Sequence, residues 1–303
     1  MVKAGVVRPT RGWEWLARYL KAFEAYYWAP GGPAGKTQSD VKRLGAGGWR
    51  GALEVFFADY AFERAGAPRI WPSIAREIVS RFPAKKSLRS LPEWAWNEFE
   101  MCVTKPNPTS NPLNSRGGKE PATRFIANLN ADRNNLISWA ARLTSNGDAT
   151  LAYRKLQTLQ GIGPKIAALF LRDVVTSYGI RESALDDRRC ILPVDTWVRR
   201  GMATIVGNED LMKETRDPTT QVLAIEWADA HGIRVAALDA GLWVLGARLA
   251  RSLPVLASAL ENRSSFERFI DEELERTEAV LVTLRGIAGA TRTSSHPKPA
   301  EGS

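Results

Sequence analysis

Cysteine and histidine are both scarce in this chain, which has only two of each. Cys102 and Cys190 are too few for a disulfide framework or for an iron–sulfur cluster held by four thiolates. His231 and His296 lie near no cysteine pair, which argues against a zinc site. We therefore expect a protein without a metal, an iron–sulfur cluster or another cofactor.

Long apolar runs are also missing. No segment approaches the uncharged length that crosses a bilayer, and the first residues, MVKAGVVRPTRGWEW, lack the apolar region of a signal peptide. These absences predict a protein without a membrane partner in a reducing, intracellular location, either cytoplasmic or associated with the nucleoid.

Negative charge falls short of positive charge. The chain has 42 lysines and arginines against 33 aspartates and glutamates, which gives a net charge of +9 and a pI near 9.7. This balance favours a polyanionic partner, although many proteins without such a partner are also basic.

Strand-like alternation is rare, whereas helical periodicity recurs along the chain. It predicts helices at about 13–28, 49–65, 72–82, 123–143, 217–231, 233–252 and 264–284. Thr123 is the expected cap of the fourth helix, and Gly232 is the expected C-cap before the sixth. The proline-rich segment 104–121 is predicted to be irregular, and the tail 286–303 has a disordered composition. The fold class is therefore all-α.

A tight link between two helices is predicted where the chain reads LQTLQGIGPKIAALFL. Gly161 and Gly163 can adopt backbone angles closed to other residues, and Pro164 suits the first turn of the second helix. In such a link the free N–H groups at the helix N-terminus form a ready site for a phosphate. The residues that would supply them are Ile162, Gly163 and Lys165.

Lys165 is unusual at this position because a cation in the first turn opposes the helix dipole. A phosphate neighbour would explain a simple binding lysine, whereas a neutral amine would suit a nucleophile. Taken alone, the local sequence favours the phosphate-binding lysine.

Asp195 follows 30 positions after Lys165, in the segment ILPVDTWVRR. Its local sequence is typical of an aspartate that caps a helix N-terminus. Arg199 and Arg200, one turn further on, can either contact DNA phosphates or cover the protein surface.

The pairing of GIGPK with PVDTWVRR resembles the helix-hairpin-helix-Gly-Pro-Asp superfamily of DNA glycosylases. Members typically show Leu-Pro-Gly-Val-Gly-x-Lys followed by Val-Asp-x-x-Val-x-Arg. Gln160 stands in place of the proline, and Trp197 stands where a histidine is common. The segments LEVFFADYAFERAGAPRIWPSIAREIVSRFP and SLPEWAWNEF also resemble the family, so that the similarity extends from about residue 49 to residue 250.

This resemblance implies a two-lobed helical fold with the active-site cleft between the lobes, formed by residues 1–285. The expected barrel lobe lies at about 49–150. The expected second lobe combines 1–48 with 151–285 and contains the hairpin at 151–175. The resemblance also implies a monomer that acts on double-stranded DNA.

The resemblance implies roles for two residues. Lys165 would attack C1′ as the N-glycosidic bond breaks, and Asp195 would stabilise the cationic sugar and take the amine proton. The resulting Schiff base allows β-elimination, which is an AP-lyase step. If Lys165 only binds phosphate, Asp195 would instead assist a water molecule, and the strand would stay intact.

The long gap from Lys165 to Asp195 resembles the archaeal 8-oxoguanine glycosylase branch. In IRVAALDAGLWVLGARLA, Asp239 and Trp243 lie one helical turn apart, and that branch has an acid and a tryptophan at this spacing in its base pocket. Asp239 would accept N–H donors of a base that stacks on Trp243. The plain interpretation is a rim aspartate and a packed tryptophan. The resemblance therefore favours an oxidised purine such as 8-oxoguanine as the excised base.

Two other functions stay open at this point. A glycosylase could act on a hypermodified, phage-type pyrimidine in antiviral defence, for which segment 104–121 and the glycine-rich loop 31–48 give room. A helix-hairpin-helix element also occurs in proteins that only grip DNA, but such a module does not need a lysine and an aspartate together.

Overall fold

The fold is described from a computed structural model over residues 12–62, 69–105, 111–114, 118–129, 134–214 and 218–293, with side chains as far as 278. Within these ranges the chain is all-α, as predicted, and its β-structure is one isolated bridge between Glu120 and Leu159. No helix in the same ranges is both long enough and apolar enough to span a bilayer.

The described residues form fourteen α-helices. They are α1 (Glu14–Tyr27), α2 (Gln38–Ala46), α3 (Trp49–Phe56), α4 (Trp71–Arg81), α5 (Leu91–Cys102), α6 (Ala122–Ala127), α7 (Leu136–Ser145), α8 (Ala149–Gln157), α9 (Pro164–Tyr178), α10 (Thr196–Val206), α11 (Pro218–Ala230), α12 (Val235–Trp243), α13 (Leu253–Ala259) and α14 (Arg263–Thr293). Two π-helical segments, Phe57–Ala61 and Val244–Ala250, continue α3 and α12.

The predicted helix at 123–143 is wrong, because the chain forms two helices there. Thr123 caps neither, since its hydroxyl is buried and forms no hydrogen bond. Asn135 caps α7 instead, and its Oδ1 accepts hydrogen bonds from the backbone N–H groups of Ile137 and Ser138 at 2.9 and 3.1 Å. Asn134 precedes it with a φ of 59°, a conformation that asparagine tolerates better than most residues. Residues 130–133 lie outside the described ranges.

The other predicted boundaries differ less. Gly232 has a φ of 60° after α11, as its predicted capping role requires. The C-terminal helix continues to Thr293, so the predicted tail at 286–303 overlaps it by eight residues. Residues 294–303 lie outside the described ranges, as do 106–110 and 115–117 of the irregular segment 104–121.

Two clusters of buried apolar side chains make up the core. The first combines residues of α2–α9 and includes Phe56, Phe99 and Phe170, whereas the second joins α1 to α10–α14 through residues such as Leu20 and Phe266. The predicted lobe boundary at residue 150 does not separate these clusters, because α8 and α9 belong to the first. Ala240 and Val244 belong to the first cluster, although Leu238, Leu242 and Leu245 nearby belong to the second.

Among the described elements, α12 and α1 share the most extensive contact. Gly241 allows it, because a Cβ at this position would lie 2.8 Å from Leu20 Cδ2 and 2.9 Å from Leu20 Cα. The backbones of the two helices therefore approach directly, and this contact sets the position of the residues that follow in α12.

Candidate active site

A cleft of about 330 Å³ opens beside both cores. Its walls come from the loop after α1, the first π-helical segment, α9, the start of α10 and the end of α12. Four residues that the sequence singles out line this one cleft: Lys165, Asp195, Asp239 and Trp243. They come from three separate helices, so the fold brings together groups that are up to 78 positions apart in the chain.

The hairpin has the predicted tight turn, with one correction. Gly161 has a φ of 77°, and Gly163 is the extended N-cap of α9, which begins at Pro164. The N–H group of Ile162 is not free, because it donates to Leu159 O at 3.2 Å. The side chain of Ile162 is 1% exposed and anchors the turn in the first core. Ile162 therefore stabilises the hairpin, and its amide is not available to a phosphate.

Lys165 is the second residue of α9, and its side chain is exposed at the cleft. No carboxylate of a described residue lies within ion-pairing distance of its amine. The N-terminal position gives it neighbouring amide N–H groups that lack partners within the helix. The Lys165 amine thus faces the cleft and forms no ion pair with a carboxylate of a described residue.

Asp195 has the capping role that its local sequence predicts and also lines the cleft. Its Oδ1 accepts hydrogen bonds from the backbone N–H groups of Trp197 and Val198, both at 2.9 Å. No described residue donates to its Oδ2. The cap fixes the carboxylate at the N-terminus of α10, and one oxygen stays available to a ligand.

Asp239 is 2% exposed and is held by a buried arginine that the sequence analysis did not single out. Arg172 Nη1 donates to Asp239 Oδ2, while Arg172 Nε and Nη2 donate to Asp173 Oδ1 at 3.0 and 2.7 Å. The same Nη2 donates to the Tyr27 hydroxyl at 2.7 Å. One guanidinium therefore joins two carboxylates and a phenol at the floor of the cleft.

A second cation extends this network. Lys36 Nζ donates to Asp59 Oδ2 at 2.8 Å and lies 3.8 Å from Asp173 Oδ2 and 4.7 Å from the centre of the Tyr60 ring. The Tyr60 hydroxyl donates to the same Asp173 oxygen at 2.7 Å. Lys36, Asp59 and Tyr60 all line the cleft, so its polar floor is continuous from the loop after α1 to α12.

Burial dominates the electrostatics of this floor. The pKa of Asp239 is raised to about 7, because loss of solvent and, to a smaller extent, the nearby Asp195 raise it more than Arg172 lowers it. Burial lowers the pKa of Arg172, but Asp173, Tyr27 and Asp239 together outweigh burial and hold this pKa well above its usual value. Arg172 therefore stays charged, while Asp239 exchanges its proton near neutral pH.

Trp243 is half-buried at the end of α12 and is fixed by its neighbours. The Tyr27 ring meets it edge-on, with ring centres 5.9 Å apart and an angle of 82°. The guanidinium carbon of Arg248 lies 5.3 Å from the centre of the Trp243 ring. Asp239 and Trp243 thus line the same cleft, and an arginine lies over the tryptophan ring.

The two predicted phosphate-binding arginines lie outside the cleft lining. Arg200 Nη1 donates to both oxygens of Glu209 at 2.9 and 2.7 Å, so its charge is already matched by a carboxylate of the protein. This pairing argues against a phosphate role for Arg200. A phosphate contact of Arg199, which is half-buried, stays a prediction.

Three of the site residues that the sequence analysis missed share one signal. Asp59 stands within FFADYAF, and the Arg172–Asp173 pair stands within LFLRDVV. A charged residue inside an apolar run is rarely buried unless it has a partner, so these runs indicate a buried ionic network. Lys36 has no such signal, because its loop is polar throughout.

Other features of the surface are less suited to chemistry. A larger groove of about 590 Å³ lies between α1 and α14, but Glu14, Arg18 and Arg263 in it are exposed, and Arg263 pairs with the half-buried Glu267 at 2.7 Å. Among the described residues, no group of three or more histidine, cysteine, aspartate or glutamate side chains is arranged to hold a metal ion. Both cysteines are free; Cys102 is exposed and Cys190 is buried.

Comparison of the chain with protein-family models, with curated proteins and with solved structures gave no match. The function is therefore inferred from the geometry of the cleft and from the motifs that line it.

Proposed function

We propose that this chain is a DNA glycosylase that flips a damaged or modified base out of a duplex and excises it. The proposal includes the two-lobed helix-hairpin-helix fold, and a Schiff base on Lys165 that permits an AP-lyase step. The observation that carries it is the convergence of Lys165 and Asp195 on one cleft that also contains Asp239 and Trp243. A module that only grips DNA has no need of a polar cavity behind its hairpin.

The chemistry needs an amine, a base and a stabilised cationic sugar. A neutral Lys165 attacks C1′ while the bond to the nucleobase breaks, and Asp195 accepts the proton that the amine loses. The Asp195 oxygen that the helix cap leaves available is the natural group to face the positive charge on the sugar. The hairpin amide N–H groups of Gly163 and Lys165 can hold a phosphate beside it.

The floor of the cleft suits a flat, polar ligand. An extruded base needs hydrogen bonds to its edge and a ring to stack on. Asp239 can accept an N–H donor when ionised, and Trp243 offers the ring. An oxidised purine such as 8-oxoguanine is the favoured substrate, and this choice rests on the resemblance of the Asp239 and Trp243 spacing to the archaeal branch.

The test is mass spectrometry of bases released from matched duplexes that carry 8-oxoguanine, uracil, an alkylated purine or glucosylated hydroxymethylcytosine. We expect the wild type to release one of these bases and Asp195→Asn to release none. The matched control is Asp229→Asn. It removes an exposed carboxylate that pairs with Arg188 outside the cleft, so this variant should retain activity.

Borohydride trapping separates the two routes. A covalent complex with the wild type that is absent with Lys165→Gln supports the Schiff base, whereas base release without trapping supports water as the nucleophile. Full activity of Asp195→Asn, or binding without release from any duplex, would refute the glycosylase and leave a DNA-binding module.

A further inference from the structure

The four cations that line the cleft differ in whether a carboxylate of the protein pairs with them. Two of them pair with carboxylates of the same cleft, namely Lys36 and Arg172. Two others form no ion pair with any described residue, namely Lys165 and Arg248. Because the buried carboxylates are already engaged by Lys36 and Arg172, the positive charge at the mouth of the cleft is left for an anion from outside the protein.

Arg248 is held in a defined place although its side chain is exposed. Its guanidinium carbon lies 5.3 Å from the centre of the Trp243 ring, and Trp243 is itself fixed edge-on by Tyr27. A guanidinium over an aromatic face keeps its N–H donors at its edge, where they match two oxygens of a phosphate. The tryptophan thus orients a ready anion-binding group.

The backbone that carries Arg248 is unusual in two respects. It is π-helical from Val244 to Ala250, and Arg251, which ends it, has a φ of 57°. The Nε–H of Arg251 donates to Arg248 O at 3.0 Å and satisfies a carbonyl at the end of the segment. Both π-helical turns and left-handed residues other than glycine concentrate at functional sites.

The segment is also fixed from the side of α10. Trp197 packs directly on Gly246, where a Cβ would lie 2.6 Å from Trp197 Cε3. Two tryptophans therefore contact the π-helical segment, Trp197 at Gly246 and Trp243 at Arg248. A side chain that only covers the surface needs no such support.

We propose that Arg248 binds a backbone phosphate of the nucleotide whose base enters the cleft. The inference rests on the proposed function in that the ligand is DNA, but it does not depend on which base is excised or on whether catalysis occurs. Arg248 is a positioning residue, since it holds the strand while Lys165 and Asp195 face the sugar.

The salt dependence of DNA binding tests this contact. Affinity for a labelled duplex with a tetrahydrofuran abasic-site analogue is measured by fluorescence anisotropy between about 50 and 200 mM KCl for the wild type, Arg248→Ala and Arg248→Lys. The association constant falls with salt, and loss of one phosphate contact makes the slope of log K against log salt less steep by about 0.9. The ratio of the wild-type affinity to the Arg248→Ala affinity should therefore decrease about 3.5-fold over this range. Arg248→Lys keeps the charge and should keep the slope.

Arg263→Ala is the control, because Arg263 is equally exposed but pairs with Glu267 outside the cleft. An unchanged slope for Arg248→Ala, or an equal loss for Arg263→Ala, would overturn the inference. A wild type that binds the duplex but releases no base refutes the glycosylase alone, since the slopes still decide the role of Arg248. A wild type that does not bind DNA overturns both.

Discussion

Asp239 makes the stability of this protein depend on pH in a way that a single substitution can isolate. Its carboxyl is buried beside Arg172, and burial raises its pKa from 3.8 to about 7. Asp239→Asn keeps the shape and the oxygen that accepts from Arg172, but it removes the ionisation. The comparison of this variant with the wild type therefore reports on the proton of Asp239 alone.

The direction follows from proton linkage. Between its pKa in the unfolded chain and about pH 7, Asp239 binds a proton in the folded protein and not in the unfolded one. The free energy of unfolding of the wild type therefore falls as pH rises through this range, by about 1.4 kcal/mol per pH unit from this group. Between about pH 5 and pH 8 the loss is roughly 3 kcal/mol, and Asp239→Asn does not share it.

Urea unfolding across this pH range measures the effect. The free energy of unfolding of Asp239→Asn minus that of the wild type should increase by roughly 3 kcal/mol from about pH 5 to pH 8, whatever its value at either end. Asp229→Asn is the control, because a hydrogen bond from Arg188 lowers the pKa of Asp229 and confines its effect to more acidic solutions. A difference that stays constant or decreases with pH would mean that Arg172 outweighs burial, and would refute the reasoning.

Two further predictions concern the walls of the cleft. Asp195→Asn retains a capping oxygen and should change the free energy of unfolding by less than about 0.5 kcal/mol, whereas Asp195→Ala should cost about 1 kcal/mol in urea unfolding; equal costs would contradict the cap. Gly246→Ala should cost about 1–3 kcal/mol in the same assay, because its Cβ would lie 2.6 Å from Trp197 Cε3. Gly48→Ala, whose Cβ meets open space, should cost a few tenths, and a similar cost for Gly246→Ala would contradict the packing.

Local conformational preferences of the residues predict two features of the candidate site. The left-handed turn at Gly161 and the cap at Asp195 depend only on residues within a few positions, so the sequence contains what is needed to place them. Local rules do not predict that Lys165 and Asp195 line the same cleft. Nothing in the 29 residues between them dictates it, and the expectation came from the resemblance of the paired motifs.

The π-helical segments could not be predicted from periodicity. The apolar pattern of Val235–Trp243 continues into Val244–Ala250 without a break, so the sequence does not mark where the helix type changes. The choice is made by tertiary contacts, since Trp197 presses on Gly246 from another helix. Both segments line the cleft, the first with Asp59 and Tyr60 and the second with Arg248.

Gln160 and the end of segment 104–121 are joined by backbone hydrogen bonds. Its N–H donates to Glu120 O at 2.7 Å, and the Glu120 N–H donates to Thr158 O at 3.1 Å, so the end of segment 104–121 pairs with the chain that leads into the hairpin. A proline at 160, as in the family that the sequence resembles, has no N–H and would leave the Glu120 carbonyl without this bond, at about 1–3 kcal/mol if no water replaced it. Lys119 Nζ strengthens the same junction by donating to Gln157 O at 2.9 Å. The long segment and the absence of a proline at 160 are therefore linked. Hydrogen bonds from the end of segment 104–121 fix the backbone that enters the hairpin, whereas a proline at 160 would fix its own φ angle and could not donate the hydrogen bond.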